Sequence, residues 1–129
     1  MMGQTLTGLN KSPRVDAAID EFKIVKMGIT DDTVAQATAA TEELIGVVQD
    51  TTTAAGQHTQ LAMVGNISRI VLGTGGATRG DKITADANGD GVVPAPGAGV
   101  NNNYIGVALK TGVAGDIIPV LIQPGSIQG

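Results

Sequence analysis

Ile45-Gly46-Val47-Val48 returns along the chain as Ile105-Gly106-Val107-Ala108, 60 residues later. Three further matches keep that register within a residue: Ala55-Gly56 returns as Ala114-Gly115 after 59, Gly65 as Gly125 after 60, and Lys23-Ile24 as Lys82-Ile83 after 59. A register held across both halves points to a duplicated unit of roughly 45 residues, too small to bury a core alone. Chance alignment is the competing reading, because IGV and AG are common in Gly/Ala/Val-rich sequence.

The same register bears on the most ambiguous stretch, DDTVAQATAATEEL from Asp31 to Leu44. Taken alone it reads as an amphipathic helix, with Asp32 as N-cap and Val34, Ala37 and Leu44 on one face. Opposite it in the second half stand Asp90-Gly91-Val92 and then PAPGAGVNNN, whose prolines and glycines cannot be helical. A shared ancestral unit therefore makes the first segment a strand plus a connection, with at most a turn or two of helix.

Outward from these segments, apolar runs of roughly 4–8 residues alternate with Gly, Asp, Asn and Pro clusters, the pattern of short strands. Expected strands are Phe22–Met27, Leu44–Gln49, Gln60–Val64, Ile67–Leu72, Lys82–Ala85, Gly91–Pro94, Tyr104–Leu109 and Ile117–Ile122. The fold expected is all-β: a small β-barrel or β-sandwich built from two pseudo-repeated β units, about 22–65 and 69–125, with an extended N-terminal arm and little helix. The arm is residues 1–20 and the β domain residues 21–129, with Ile45, Val47, Ile105 and Val107 as equivalent core positions.

At 129 residues the chain suits one domain. Hydrophobic residues make up 42% but aromatics only 2%, so the core must be aliphatic. Phe22 and Tyr104 alone cannot form a stacking platform for single-stranded nucleic acid. A net charge of −4 offers no basic stripe for phosphates or anionic lipid, so neither nucleic acid nor a membrane surface is expected as a partner. With no cysteine, thiolate nucleophiles, disulfides, zinc ribbons and iron–sulfur clusters are excluded together. The opening MMGQTLTGLNKSPR lacks the apolar run of a secretory signal, and no stretch approaches a membrane span, so a soluble protein is expected.

Four features invite chemistry. Asp86-Ala-Asn88-Gly-Asp90-Gly91 follows the first half of a calcium loop, but Gly97 stands where the closing Glu belongs and no helices flank it. The same residues suit a tight connection between strands, and no metal site is expected. Gly73-Thr-Gly75-Gly76-Ala-Thr-Arg79-Gly80-Asp81-Lys82 is glycine-rich, yet Asp81 would repel a phosphate and a strand follows instead of a helix, so it reads as a structural loop. His58 is the only histidine, and Ser12, Ser68 and Ser126 lie in no nucleophile context. Glu42-Glu43 and Asp31-Asp32 are adjacent pairs that read as solvated turns. No catalytic constellation, cofactor site or small-molecule substrate is expected.

Four segments together, FKIVKMG, ATAATEELIGVVQ, GGATRGDKITADANGDGVV and YIGVALKTGVAGDIIPVLIQPG, carry a family resemblance across Phe22 to Gly129. In their order and spacing the chain resembles the tailed-phage capsid cement proteins, or head decoration proteins. The resemblance implies a non-enzymatic virion component, made in the host cell cytoplasm and docked on the outer surface of the capsid. There it would staple neighbouring major capsid protein subunits, usually as a homotrimer. No catalytic or contact residue is carried over from the family. The alternatives are a β-rich receptor- or carbohydrate-binding module of a phage fibre or bacterial surface protein, disfavoured by the few aromatic rings, and a small hydrolase suggested only by His58 and Asp86–Asp90.

The cementing role needs reach, and in Thr5 to Leu9 the pattern T-L-T-G-L suits addition of an extended strand to an exposed edge. Thr5, Leu6, Leu9 and Val15 are the capsid-contact positions expected on that arm.

Overall fold

The computed structural model describes residues 12–129, all strand and connection with no helix among them. In the first half run β1 (Arg14–Val15), β2 (Ile24–Met27), β3 (Thr33–Gln36), β4 (Leu44–Val48) and β5 (Leu61–Ala62). The second half holds β6 (Ile67–Val71), β7 (Lys82–Ala85), β8 (Gly91–Val92), β9 (Asn101–Ala108) and β10 (Ile117–Gln128). One sheet has the order β1-β3-β2-β4-β5 and the other β6-β10-β9-β7-β8.

Each sheet closes on itself. In the first, β1 pairs in parallel with β3, and its other edge meets the segment leading into β5: Arg14 bridges His58, Val15 N donates to Gln57 O (2.9 Å) and Gly56 N to Val15 O (2.8 Å). In the second, β6 pairs with β10, while its continuation bridges β8 in parallel at Leu72 and Gly91 and Gly73 N donates to Gly91 O (2.8 Å). Two five-stranded barrels result, with the same ring order, and closure removes the exposed edges that a short open sheet would leave.

The ring order pairs β1 with β6, β3 with β8, β2 with β7, β4 with β9 and β5 with β10. Gly46 and Gly106 are equivalent in backbone detail. A Cβ on Gly46 would stand 2.6 Å from Ala62 O, and one on Gly106 2.0 Å from Leu121 O, on the equivalent strand. Gly56 and Gly115 are likewise equivalent, with φ of 86° and 89°, a region that favours glycine. Gly115 N donates to Leu72 O as Gly56 N does to Val15 O.

Two of the expected matches shift. Val25 pairs with Gly46 and Ile83 with Gly106, so Val25, not Ile24, corresponds to Ile83. A one-residue slip moves a side chain to the opposite face. Val25 belongs to the first barrel's own cluster, whereas Ile24 joins the cluster that includes second-barrel residues. Gly65 and Gly125 do not correspond, since the former is in the turn between β5 and β6 and the latter in β10 opposite Tyr104.

The segment that could read as a helix is β3 followed by a connection. Glu42 folds that connection back: its carboxylate accepts from Thr38 N (2.6 Å), Ala39 N (3.1 Å) and Thr38 Oγ1 (2.9 Å) and pairs with Lys26. Burial raises the Glu42 pKa, but the hydrogen bonds from Lys26, Thr38 and Ala39 outweigh it and hold the carboxyl at about 2.

Val15, Ile19, Val25, Val34, Val48 and Leu61 form the first barrel's core. A larger cluster fills the second barrel with Ile70, Leu72, Ile83 and Val120 and extends between the barrels to Ile24, Leu44, Val47 and Ala62. Val47 and Ile105 are fully buried. Ile45, at a register shift between β2 and β4, is half-buried against the first cluster, and Val107 is half-buried on the outer face of β9. Residues 12–20, placed with the arm by the sequence, pack into the first barrel, with Val15 and Ile19 each 2% exposed.

Candidate functional site

The groups that could carry chemistry are engaged in the fold. Asp86 Oδ1 accepts from Asn88 N (2.8 Å) and Asp90 N (3.0 Å), which makes the half-motif a self-bonded turn. Asp90 turns away from that loop and pairs with Lys23 of the first barrel at 2.5 Å, both side chains less than a fifth exposed. Among the described residues no three His, Asp or Glu side chains gather in a way that could hold a metal ion. His58 is exposed, with Nδ1 2.8 Å from Ser12 O and Nε2 accepting from Arg14 Nε at 3.5 Å. That arrangement fastens β1 to the strand beside it. In the glycine-rich loop, Asp81 accepts from Thr78 N (2.9 Å) and Ala77 bridges Gly112, which turns the loop back onto the barrel.

The described surface also exposes apolar groups. On the outer face of β6, β9 and β10, Leu121 pairs with Ile67 on one side and Val107 on the other, and Ile117 pairs with Val71. Ile67 is 63% exposed, Ile117 52%, and Val64 at the edge of the same face 68%. A groove of about 200 Å³ lined by Val64, Gly65, Leu121, Ile122 and Gln123 borders it. A second apolar group is the β2–β3 turn, where Met27 is 69% and Ile29 89% exposed. That turn is ordered: Ile29 N donates to Asp16 Oδ2 (3.0 Å), Gly28 N to Thr33 O (2.8 Å) and Thr33 Oγ1 to Thr30 O (2.7 Å). Exposed apolar side chains grouped on a sheet face and a turn suit docking to protein rather than binding of a polar small molecule.

Of the expected capsid-contact positions, Thr5, Leu6 and Leu9 lie outside the described residues, and Val15 points into the first barrel's core. The exposed face could not be told from core in the sequence, because Ile117 to Ile122 is apolar at every position.

No protein-family model and no curated protein matches the chain. Among solved structures, the N base of head fiber gp8.5 of bacteriophage phi29 is similar to it. The TM-score is 0.67 at 14% sequence identity, over 87% of this chain and 91% of that one. At that identity the likeness is one of fold, and it takes in both barrels.

Proposed function

We propose that the protein is a non-enzymatic structural component of a tailed-phage head. It binds the outer surface of the capsid, contacts the major capsid protein and ties neighbouring subunits together. The observation that carries this reading is the fold shared with a phage head-fibre base over nearly the whole of both chains. The order of the four segments that resemble the cement proteins points the same way.

The mechanism asks nothing of catalysis. A packaged genome loads the shell outward, and the junctions between capsomers are where it yields first. A self-associated protein presents several copies of one patch to equivalent sites on the shell, so individually weak contacts reinforce one another through high effective concentration. A rigid aliphatic core and closed barrels keep that patch in shape without metal or cofactor.

The test is co-sedimentation of the purified chain with mature capsids that lack it. The chain pellets with capsids in a saturable manner if the reading is right. A protein that stays in the supernatant at tens of micromolar, with capsids in excess, would refute it.

A further inference from the structure

The chain contains a single Asn-Gly pair, Asn88-Gly89, and it stands in the β7–β8 connection that touches the first barrel. In that connection Gly89 N donates to Asp86 O (3.2 Å), Asp86 N donates to Asp90 O (3.0 Å) and Gly89 takes a positive φ of 73°, while Ala87 and Asn88 do not. The loop is therefore a type I turn closed by a glycine bulge, with Asn88 third in the turn. Asn88 is exposed. Its backbone N donates to Asp86 Oδ1 (2.8 Å), whereas its side-chain amide has no hydrogen-bond partner within the described chain.

In such a pair the glycine nitrogen attacks the asparagine Cγ, because no Cβ hinders its approach. The N–Cγ bond forms, the Cγ–Nδ2 bond breaks and ammonia leaves, which gives a succinimide ring. Water then opens the ring at one carbonyl or the other, to aspartate or isoaspartate, and no oxidant, reductant or metal takes part. The closed turn opposes the attack. Third in a type I turn, Asn88 has a ψ of about 0°, away from the rotation that ring closure requires, and the Gly89 N–H is held by Asp86 O. The first barrel in turn keeps the loop in place: Gly89 O accepts from Ile24 N (2.9 Å), and Asp90 pairs with Lys23 at 2.5 Å. Gly89 is packed so closely there that a Cβ would stand 2.8 Å from Gln36 Cγ and 3.3 Å from Ile24 O.

We infer that Asn88 is a deamidation site gated by the junction between the barrels, and that isoaspartate at this position unfastens the junction irreversibly. Isoaspartate routes the main chain through its side-chain carbons, so the backbone gains one carbon directly before Gly89, where there is no room even for a Cβ. The former α-carboxyl becomes a charged branch. A loop lengthened in this way no longer presents Gly89 O to Ile24 N and Asp90 to Lys23 at once. Opening of the junction thus admits a reaction whose isoaspartate product prevents reclosure. Asp90-Gly91 has the same small follower, but its carboxylate is charged and ion-paired and hence a poor electrophile. Every other asparagine is followed by a residue with a side chain, which hinders the attack.

The full chain is incubated in mildly alkaline buffer at physiological temperature, folded and in urea, and peptide mapping by mass spectrometry with an isoaspartate-specific methyltransferase follows conversion at Asn88. Conversion in urea is faster than in the folded chain by an order of magnitude or more, because local opening must precede it there. Lys23→Met and Asp90→Ser, which remove the ion pair and leave the backbone bonds of the turn, each convert several-fold faster than wild type when folded. In urea Lys23→Met converts at the wild-type rate. The isoaspartate form, separated by anion exchange, melts several degrees below the fresh protein. Asn88→Asp, which has the charge but an ordinary backbone, melts with the wild type. Equal rates in the folded chain and in urea overturn the inference, as do folded ion-pair variants that react no faster than wild type. So does an isoaspartate form that melts with the fresh protein, or a chain in urea that stays unconverted at Asn88. If neither ion-pair variant keeps the wild-type circular dichroism spectrum, the folded and urea rates and the melt of the isoaspartate form decide.

Discussion

Replacing Gly106 by Ala adds one methyl group at a position where the backbone has no room for it. The new Cβ would stand 2.0 Å from Leu121 O, a full ångström inside the 3.0 Å below which such contacts essentially never occur, and 3.0 Å from Val120 Cγ1. The obstructing atom is a backbone carbonyl on the neighbouring strand, so no side chain can swing aside; β9 and β10 must separate. Overpacking of this kind costs about 1–3 kcal/mol, and a ladder hydrogen bond lost in the separation adds about 0.5–1.5 kcal/mol. Ala returns about 0.4–1 kcal/mol by restricting the unfolded chain. With the upper end of the overpacking range, which so close an approach warrants, the net for Gly106→Ala is about 3 kcal/mol. At Gly46 the overlap with Ala62 O is milder, 2.6 Å, and the same reasoning gives about 1 kcal/mol. Gly97→Ala is the control, since its Cβ would meet only Val100 Cγ2 at 3.8 Å. For a chain of this size 1 kcal/mol is roughly 3–5 °C in Tm. Thermal melts by circular dichroism should therefore rank Gly97→Ala at or above wild type, Gly46→Ala a few degrees below and Gly106→Ala roughly 10 °C or more below. A Gly106→Ala melt within two degrees of wild type, or a Gly46→Ala melt below that of Gly106→Ala, would refute the close-approach argument.

Ile105→Ala should cost about 2–5 kcal/mol in urea unfolding, as for other fully buried aliphatics, and the half-buried Ile45→Ala roughly half of that. Because the folded-state pKa of Glu42, about 2, lies below its ordinary 4.5, its contribution is complete above pH 4.5 and is lost as pH falls toward 2. Glu42→Gln should accordingly lower the urea midpoint at pH 6 and narrow its gap to wild type between pH 4.5 and 2. Deleting residues 1–20 removes β1 with the buried Val15 and Ile19 and opens the first barrel, so the cooperative wild-type melt should vanish. Deleting residues 1–11 should preserve that melt, since the strands and both clusters of the described residues lie beyond them.

The shared strand order of the two barrels left a trace in the sequence because a strand pair that comes too close for a Cβ requires a glycine, at Gly46 and at Gly106, with Ile and Val flanking both. The Ala-Gly turns at 55–56 and 114–115 were legible for a related reason, since each needs a residue at positive φ. Register was not legible at Ile24. The residue packs between barrels while Val25 packs inside one, so both faces of β2 are apolar and no alternation marks which side is in. The strand β1 is two residues long, follows Pro13, and is held by partners at Thr33 and His58, far along the chain; nothing local announces it. In β3 the Ala-rich composition favours helix, and pairing to β1 and β2 overrides it. The candidate site was the least legible part, because Val107 and Leu121 differ from core residues only in what the other barrel happens to cover.

The placement of all first-barrel strands within Arg14–Ala62 has a consequence for the nascent chain. Synthesis delivers those strands before most of the second barrel's exist. The 67 residues after Ala62 take roughly 3–13 s to translate at ordinary rates. Until then Ile24, Leu44, Val47 and Ala62 lack the second-barrel residues that bury them in the finished chain. On a polysome, neighbouring nascent chains carry the same uncovered patch at high local concentration, and the interval sets how long each is open to chaperone capture or to a wrong partner.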